Sequence, residues 1–222
     1  MQLLYATTYE AILNATAPKV LVNVGCDIDR ITKLLKYCTE HGSVLHVVSP
    51  TSIESLEELQ HKYNENLIIH EDLGLNALPA IKQVEFITLD SDYNWYTVYH
   101  TLLTLQNHTT DTHKDNFPVT VITNTGWPYG KRDVYLRPEC IPLAYQQATS
   151  TGGLIPGKGK PNEKEGIFQG RAHAMYEGTP RNGVLAAIED FIEQSPLHFR
   201  TLLLPGAGGH GILIPESLSQ KK

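Results

Sequence analysis

The sequence is poor in cysteine, has an excess of acidic over basic residues, and contains no long apolar run. Three cysteines among 222 residues argue against a disulfide framework and favour reduced thiols. A net charge of −6 does not provide the basic surface that nucleic acid requires. Without a run of about 18 apolar residues, no membrane-spanning helix is expected. The segment Met1–Tyr5 lacks the features of a signal peptide, so we expect a cytoplasmic protein.

Two nucleotide-binding motifs are also missing. The segment Val24–Asp29, after the first predicted strand, reads Val-Gly-Cys-Asp-Ile-Asp and not Gly-x-Gly-x-x-Gly. The sequence has no Walker-type phosphate loop either. These absences argue against a dinucleotide-binding enzyme and a P-loop nucleotidase.

Strand and helix signals alternate along the first half of the chain. Helices are predicted at Asp27–Tyr37, from the capping-box spacing of Thr51–Glu54, and after Tyr93, and a short helix or turn is predicted at Leu73–Ile81. Asn107–Asn116 is polar and predicts a turn. The predicted strands are Lys19–Val24, Ser43–Val48, Asn66–His70, Val84–Leu89 and Phe117–Thr123. This alternation predicts an α/β fold with a doubly wound, mostly parallel sheet.

The second half begins with a long irregular segment, at about 124–179, which we interpret as a loop insertion. Thr179 and Pro180 then provide a favourable N-cap and first position for a helix. Phe199–Leu204 and Gly211–Pro215 follow as two strands around a glycine-rich turn, which predicts an antiparallel hairpin. We expect one domain over residues 1–222.

Acidic residues follow the fourth predicted strand. Asp90 and Asp92 come directly after Phe86–Leu89, and an amphipathic helix begins beyond them. In open α/β sheets, ligands bind at the carboxyl ends of the strands. Asp90 is therefore a candidate ligand for a metal or a cofactor, or else a solvated strand-end acid. Asp92 can serve the same function or cap the next helix.

The order of elements resembles the class I S-adenosylmethionine (SAM)-dependent methyltransferase fold. Val22–Thr32 is similar to the first motif of that family, Glu-x-Gly-x-x-x-Gly-x-x-Thr. Gly25 matches the motif, while Asn23 replaces its acid. The resemblance implies that Asn23, Gly25 and Asp27 lie against the methionine part of SAM.

Later strand ends extend the resemblance. Ser49 stands where the family has an acid that binds the ribose, and Asp72 matches an acid near the adenine. Asp90 and Asp92 match the Asp-Gly-Asp-His motif of small metal-dependent O-methyltransferases, with Tyr93 in place of the histidine. The resemblance implies cofactor contacts from Ser49, Asp72, Asp90 and Tyr93, although Tyr93 can also simply stack.

The segment Thr123–Asp133 is similar to a His-Asp-Val-Gly-Trp-Pro-Tyr-Gly-Arg-Arg-Asp string in a subgroup often encoded with polysaccharide or natural-product pathways. Asn124 occupies the position of a metal-binding Asp, so the resemblance implies Asp90 and Asn124 as ligands of Mg²⁺. Lys131 lies in the loop over the expected substrate cleft, and His173 is a candidate base.

Two functions are compatible with this sequence. The first is a SAM-dependent O-methyltransferase, with or without Mg²⁺, acting on a saccharide or another small polyhydroxylated metabolite, with Asp90, Lys131 and His173 as candidate catalytic residues. The second is a catalytically inactive methyltransferase-fold binding or scaffold protein. The second is motivated by departures from the family pattern at Asn23, Asp29, Ser49, Tyr93, Thr123 and Asn124. Both imply a small-molecule partner, no nucleic acid and no membrane span, and both leave homo-oligomerisation open.

Overall fold

A seven-stranded, mostly parallel sheet organises the protein. The computed structural model describes residues 8–51, 54–90, 92–111, 117–206 and 208–219. The strands are β1 (Val20–Val24), β2 (Val44–Val48), β3 (Leu67–His70), β4 (Phe86–Leu89), β5 (Val119–Thr123), β6 (Val134–Tyr135), β7 (Thr149–Ser150), β8 (Ala172–Ala174), β9 (Phe199–Leu204) and β10 (His210–Pro215). The helices are α1 (Glu10–Thr16), α2 (Ile28–His41), α3 (Glu54–Lys62), α4 (Gly74–Ala77), α5 (Trp95–Asp111), α6 (Val184–Gln194) and α7 (Glu216–Ser219). Short 3₁₀ turns lie at Leu78–Ala80, Pro138–Cys140 and Leu143–Tyr145.

The strand order confirms the predicted fold class. The large sheet runs β3-β2-β1-β4-β5-β10-β9. β1 pairs in parallel with β2 and β4, while β10 and β9 form the antiparallel hairpin. Crossover helices cover both faces of a parallel sheet, which is why β4 and β5 are buried along their whole length. A three-stranded antiparallel sheet, in the order β6-β8-β7, lies within the segment predicted as a loop insertion.

The chain divides into two compact units. Unit 1 comprises Met1–Ser91, Thr104–Val121 and Ser217–Lys222, and unit 2 comprises Asp92–Leu103 and Ile122–Glu216. The single domain expected from the sequence stays a prediction. Within the ranges that the structure describes, no helix combines the length and apolarity needed to cross a membrane.

Unit 1 holds the first four strands and the helices between them. Helix α2 begins after Asp27, whose side chain accepts a hydrogen bond from the Arg30 amide at 3.1 Å. It ends at Gly42, where a φ of +61° favours glycine, so it runs four residues beyond the predicted end at Tyr37. The core of the unit includes Leu21 and Ile87, which are fully buried on paired strands.

Two boundaries in the chain differ from the prediction. Asn107–Asp111, predicted as a turn, is the last part of helix α5, and the rest of that predicted turn lies outside the described residues. Thr179 and Pro180 do not open a helix: α6 begins at Val184 after Gly183, whose φ is +99°. Helix α3 begins at Glu54, and the two residues before it in the predicted capping box lie outside the described residues. Helix α1 was not predicted from the sequence.

Candidate functional site

The carboxyl ends of β1 and β4 in unit 1 bring together a buried cation and two carboxylates. The Arg30 side chain is 4% exposed, and its Nη2 lies 2.8 Å from Asp90 Oδ2 and 3.4 Å from Asp27 Oδ2. Arg30 Nη1 is buried and has no hydrogen-bond partner among the described residues. A buried guanidinium with one unused donor suits an anionic group of a ligand.

Sequence reasoning missed Arg30, because an arginine three residues into a helix is normally assigned to the solvent. The first helical turn places it beside its own N-cap, Asp27, and the end of β4 contributes Asp90. The spacing Asp27-x-x-Arg30 was the available signal. Burial lowers the pKa of the Arg30 guanidinium, but the nearby Tyr9 phenol and the Asp90 and Asp27 carboxylates outweigh it, so the pKa lies above its ordinary value.

The turn after β1 is held by Asn23, which is fully buried. Its Nδ2 donates to the Gly25 carbonyl at 2.7 Å, and its Oδ1 accepts from Thr88 Oγ1 at 2.6 Å. Gly25 has a φ of +118°, and a Cβ there would lie 2.3 Å from the Asp90 carbonyl oxygen. The Asn23 amide therefore supports the backbone of this turn, and only glycine fits at position 25.

Asn23→Asp is expected to destabilise the protein although it restores the acid of the family motif. A carboxylate would place a second acceptor against the Gly25 carbonyl in a buried site, at a cost of about 2 kcal/mol at neutral pH. Protonation lets the side chain donate again, so the deficit should shrink as the pH falls toward 4. Urea unfolding of the two proteins at several pH values checks this expectation, and a deficit independent of pH would contradict it.

Ser49 and Asp72 lie at the ends of β2 and β3, as the sequence predicts. Ser49 is 2% exposed, and its hydroxyl donates to the Thr51 carbonyl at 2.9 Å. Asp72 is exposed, and its Oδ1 accepts from Asn76 Nδ2 at 2.9 Å and from the Leu73 amide at 2.7 Å. Ser49 is thus occupied by its own turn, whereas Asp72 remains open to solvent on an exposed strand end.

Unit 2 holds the other predicted site residues. Asn94, not Asp92, caps helix α5, since its Oδ1 accepts from the Thr97 amide at 2.8 Å. Burial raises the pKa of Asp92, and Arg137 opposes that shift. Tyr93 stacks on Tyr129 with ring centroids 5.6 Å apart, which matches the alternative of a stacking role.

The candidate catalytic residues of unit 2 have protein partners. Lys131 forms an ion pair with Glu189 on α6. His173 on β8 is fully buried, and its Nε2 lies 2.9 Å from the Phe168 carbonyl oxygen. Burial lowers the pKa of His173, so the imidazole is neutral near pH 7. A catalytic function for Lys131 and His173 stays a prediction, and burial of His173 favours a structural one.

The proposed metal ligands Asp90 and Asn124 are in different environments. Asp90 already has a guanidinium partner 2.8 Å away. Asn124 adopts a φ of +61°, which asparagine tolerates, and its Nδ2 donates to Thr123 Oγ1 at 3.3 Å. No group of three or more His, Cys, Asp or Glu side chains suited to a metal ion occurs in the described part of the chain.

Comparisons with known proteins concern the fold. No family model matches the chain, and no curated protein sequence matches it. Solved structures similar to it include a methyltransferase from Geobacter sulfurreducens, with 10% identity, a TM-score of 0.48, and coverage of 96% of this chain and 76% of the other. Another is 1,6-didemethyltoxoflavin-N1-methyltransferase from Burkholderia thailandensis, with S-adenosylhomocysteine bound, 10% identity, a TM-score of 0.41, and coverage of 95% and 79%. The fold assignment rests on the strand order of this chain and not on these scores.

Proposed function

We propose that this protein binds SAM in unit 1 and transfers its methyl group to a hydroxyl of a saccharide or another small polyhydroxylated metabolite. The observation that carries the proposal is the buried Arg30 between Asp27 and Asp90 at the strand ends of a methyltransferase-like sheet. The amino-acid end of SAM carries a carboxylate and an ammonium group. A guanidinium with an unused donor, flanked by two carboxylates, is complementary to that pair of charges.

The residues present therefore fit SAM, but the residues that would bind its charged groups are not those of the family motif. Arg30 would hold the carboxylate, and Asp27 or Asp90 the ammonium. Asp72, at the end of β3, is accessible for the ribose or the adenine, while the Asn23 amide keeps the glycine turn in shape. When bound, SAM supplies an electrophilic methyl group for attack by a nucleophile. The contribution of the protein is then mainly positioning of the two reactants.

The same residues do not fit Mg²⁺ well. A cation at Asp90 would have to displace Arg30 from its ion pair with this carboxylate, and an amide at Asn124 brings no compensating charge. The proposed methyl transfer therefore includes no metal.

The test of the proposal is calorimetric titration with SAM and with S-adenosylhomocysteine, followed by an assay for S-adenosylhomocysteine release with a panel of saccharide acceptors. Micromolar binding of both compounds and release that depends on an acceptor would support methyl transfer. Binding without release by any acceptor would favour the non-catalytic binding protein. Absence of binding would overturn methyl transfer and leave a scaffold protein that does not bind SAM.

A chelator is expected to leave the affinity for S-adenosylhomocysteine unchanged, because Arg30 already neutralises Asp90. The measurement is the same titration in the presence of EDTA and, separately, of excess Mg²⁺. Weaker binding in EDTA that Mg²⁺ restores would show that a metal does occupy the site.

The non-catalytic alternative is favoured by one further observation. Two positions that differ from the family pattern already have protein partners: Asn23 donates to the Gly25 carbonyl of its own turn and accepts from Thr88 on β4, and the Ser49 hydroxyl donates to the Thr51 carbonyl of its own turn. These hydrogen bonds stabilise the fold without a ligand. The acceptor assay above separates this alternative from the enzyme, since only the enzyme releases S-adenosylhomocysteine.

A further inference from the structure

Unit 2 contains a cavity of about 610 Å³, and of the three candidate catalytic residues Lys131 lines it. Its size lies within the range of small-molecule sites, which is about 300–1,000 Å³. Helices α5 and α6 and the loop before α6 form its walls. The lining residues include Trp95, Tyr99, Tyr145, Arg181, Glu189 and Asp190.

Helix α6 fixes the orientation of Trp95 and Tyr99, two of the aromatic residues that line the cavity. Trp95 Nε1 donates to Asp190 Oδ2 at 2.6 Å, and the Tyr99 hydroxyl donates to Gln194 Oε1 at 2.7 Å. Trp95 also stacks on Tyr99, with ring centroids 4.5 Å apart, and on Tyr145, with centroids 5.9 Å apart. A ligand therefore meets a preformed wall, and little side-chain entropy is lost on binding.

Cations and anions balance in the cavity. Lys131 pairs with Glu189, and the Arg181 guanidinium lies 5.4 Å from the centre of the Trp95 ring and 5.6 Å from that of Tyr145. Asp190 is the second anion. Burial lowers the pKa of His100, which also lines the cavity, so this imidazole is neutral near pH 7. Because the two cations and two anions already compensate one another, a ligand with a net charge would lack a counter-ion in the cavity. This balance favours an uncharged ligand.

The ligand must also form hydrogen bonds with the polar side chains of the cavity while it packs against the neighbouring aromatic rings. A sugar ring does so, because its C–H face packs on an aromatic side chain while each hydroxyl both donates and accepts. We propose that the cavity between α5 and α6 is a binding site for an uncharged saccharide, with Trp95 and Tyr145 as the aromatic wall and Glu189 and Asp190 as hydroxyl acceptors. This inference names a subsite for the ligand class of the proposed function, but it does not require methyl transfer.

Trp95 provides a direct reporter for this site. The chain has two tryptophans, so Trp127→Phe leaves Trp95 as the single one. Maltose, cellobiose and methyl glucoside, each titrated to millimolar concentrations, should give a saturable change in the Trp95 fluorescence with at least one of them. Tyr145→Ala in the same background should weaken that binding by about tenfold or more, because it removes part of the wall.

The matched control is Tyr176→Ala, which removes an exposed tyrosine of the same unit that does not line the cavity. It should leave saccharide binding unchanged. Absence of a saturable change with all three saccharides would overturn the proposal, as would equal binding by the Tyr145→Ala protein. Saturable binding of indole without saccharide binding would also overturn it and would assign the cavity to planar aromatic ligands. Calorimetry with S-adenosylhomocysteine on the same proteins keeps a failure here distinct from a failure of SAM binding.

Discussion

Asp133→Ala is expected to lower the free energy of unfolding by about 3–5 kcal/mol, since it leaves several buried donors without a partner. The Asp133 carboxylate is fully buried in unit 2. Its Oδ1 accepts from the Trp95 amide at 2.7 Å and from the Gly183 amide at 2.6 Å, and its Oδ2 accepts from the Tyr135 hydroxyl at 2.9 Å. One side chain thus satisfies donors at the N-termini of both α5 and α6.

Asp133→Asn is the matched control for that variant. The amide oxygen can still accept from both backbone N–H groups, and asparagine has the shape of the protonated acid, so the loss at about pH 4 should stay within about 1 kcal/mol. Urea unfolding of the three proteins measures both differences. Similar stability of the alanine and asparagine variants would show that the caps do not depend on this side chain.

The same residue gives a pH dependence with a defined direction. Burial raises the pKa of Asp133 from 3.8 to about 6, although the hydrogen bonds from Gly183, Trp95 and Tyr135 oppose the shift. In the unfolded chain the carboxyl ionises near its ordinary pKa, so its contribution to stability is present below about pH 4 and is lost as the pH rises toward 6. The wild-type protein should therefore lose stability relative to Asp133→Asn over that interval, by on the order of 2 kcal/mol. A constant difference across the interval would contradict the raised pKa.

The contacts of Asp133 explain why the start of helix α6 could not be predicted from the sequence. The strands of the large sheet and the closing hairpin were predicted within a few residues, because apolar runs and turn residues are local signals. The start of α6 was predicted wrongly at Thr179 and Pro180. That helix begins only at Val184, and the residue that satisfies the Gly183 amide is 50 positions away in the sequence. When a residue that is distant in the sequence caps a helix, the sequence near the start of that helix contains no capping motif.

In the candidate site, the positions of the residues could be predicted from the sequence, but their contacts could not. Asp90, Ser49 and Asp72 were placed correctly at strand ends, since the carboxyl edge of a parallel sheet follows from strand order. What each side chain contacts could not be predicted. The partner of Asp90 is Arg30, on another element, and the motif departure at Asn23 has a structural reason that only the packed turn reveals.

Arg30→Met is expected to have the second large effect on unfolding. The substitution keeps much of the apolar length of the side chain but removes the guanidinium partner of Asp90, whose side chain is 15% exposed. Removal of one partner from a buried ion pair costs about 3–5 kcal/mol, most of it the penalty for the remaining charge. Neutralisation of that charge should therefore restore stability. The double variant Arg30→Met/Asp90→Asn is expected to recover most of the loss, because neither side chain then carries an unpaired charge.

The double variant also separates stability from ligand binding. If Arg30 holds the carboxylate of SAM, the stable double variant should bind S-adenosylhomocysteine far more weakly than the wild-type protein does. Its affinity for 5′-methylthioadenosine, which lacks the amino-acid end, should change little. Calorimetry with the two compounds distinguishes these cases. An equal loss for both would mean that the substitutions disturb the whole cofactor site, while an unchanged affinity for S-adenosylhomocysteine would show that the Arg30–Asp90 pair only stabilises the fold.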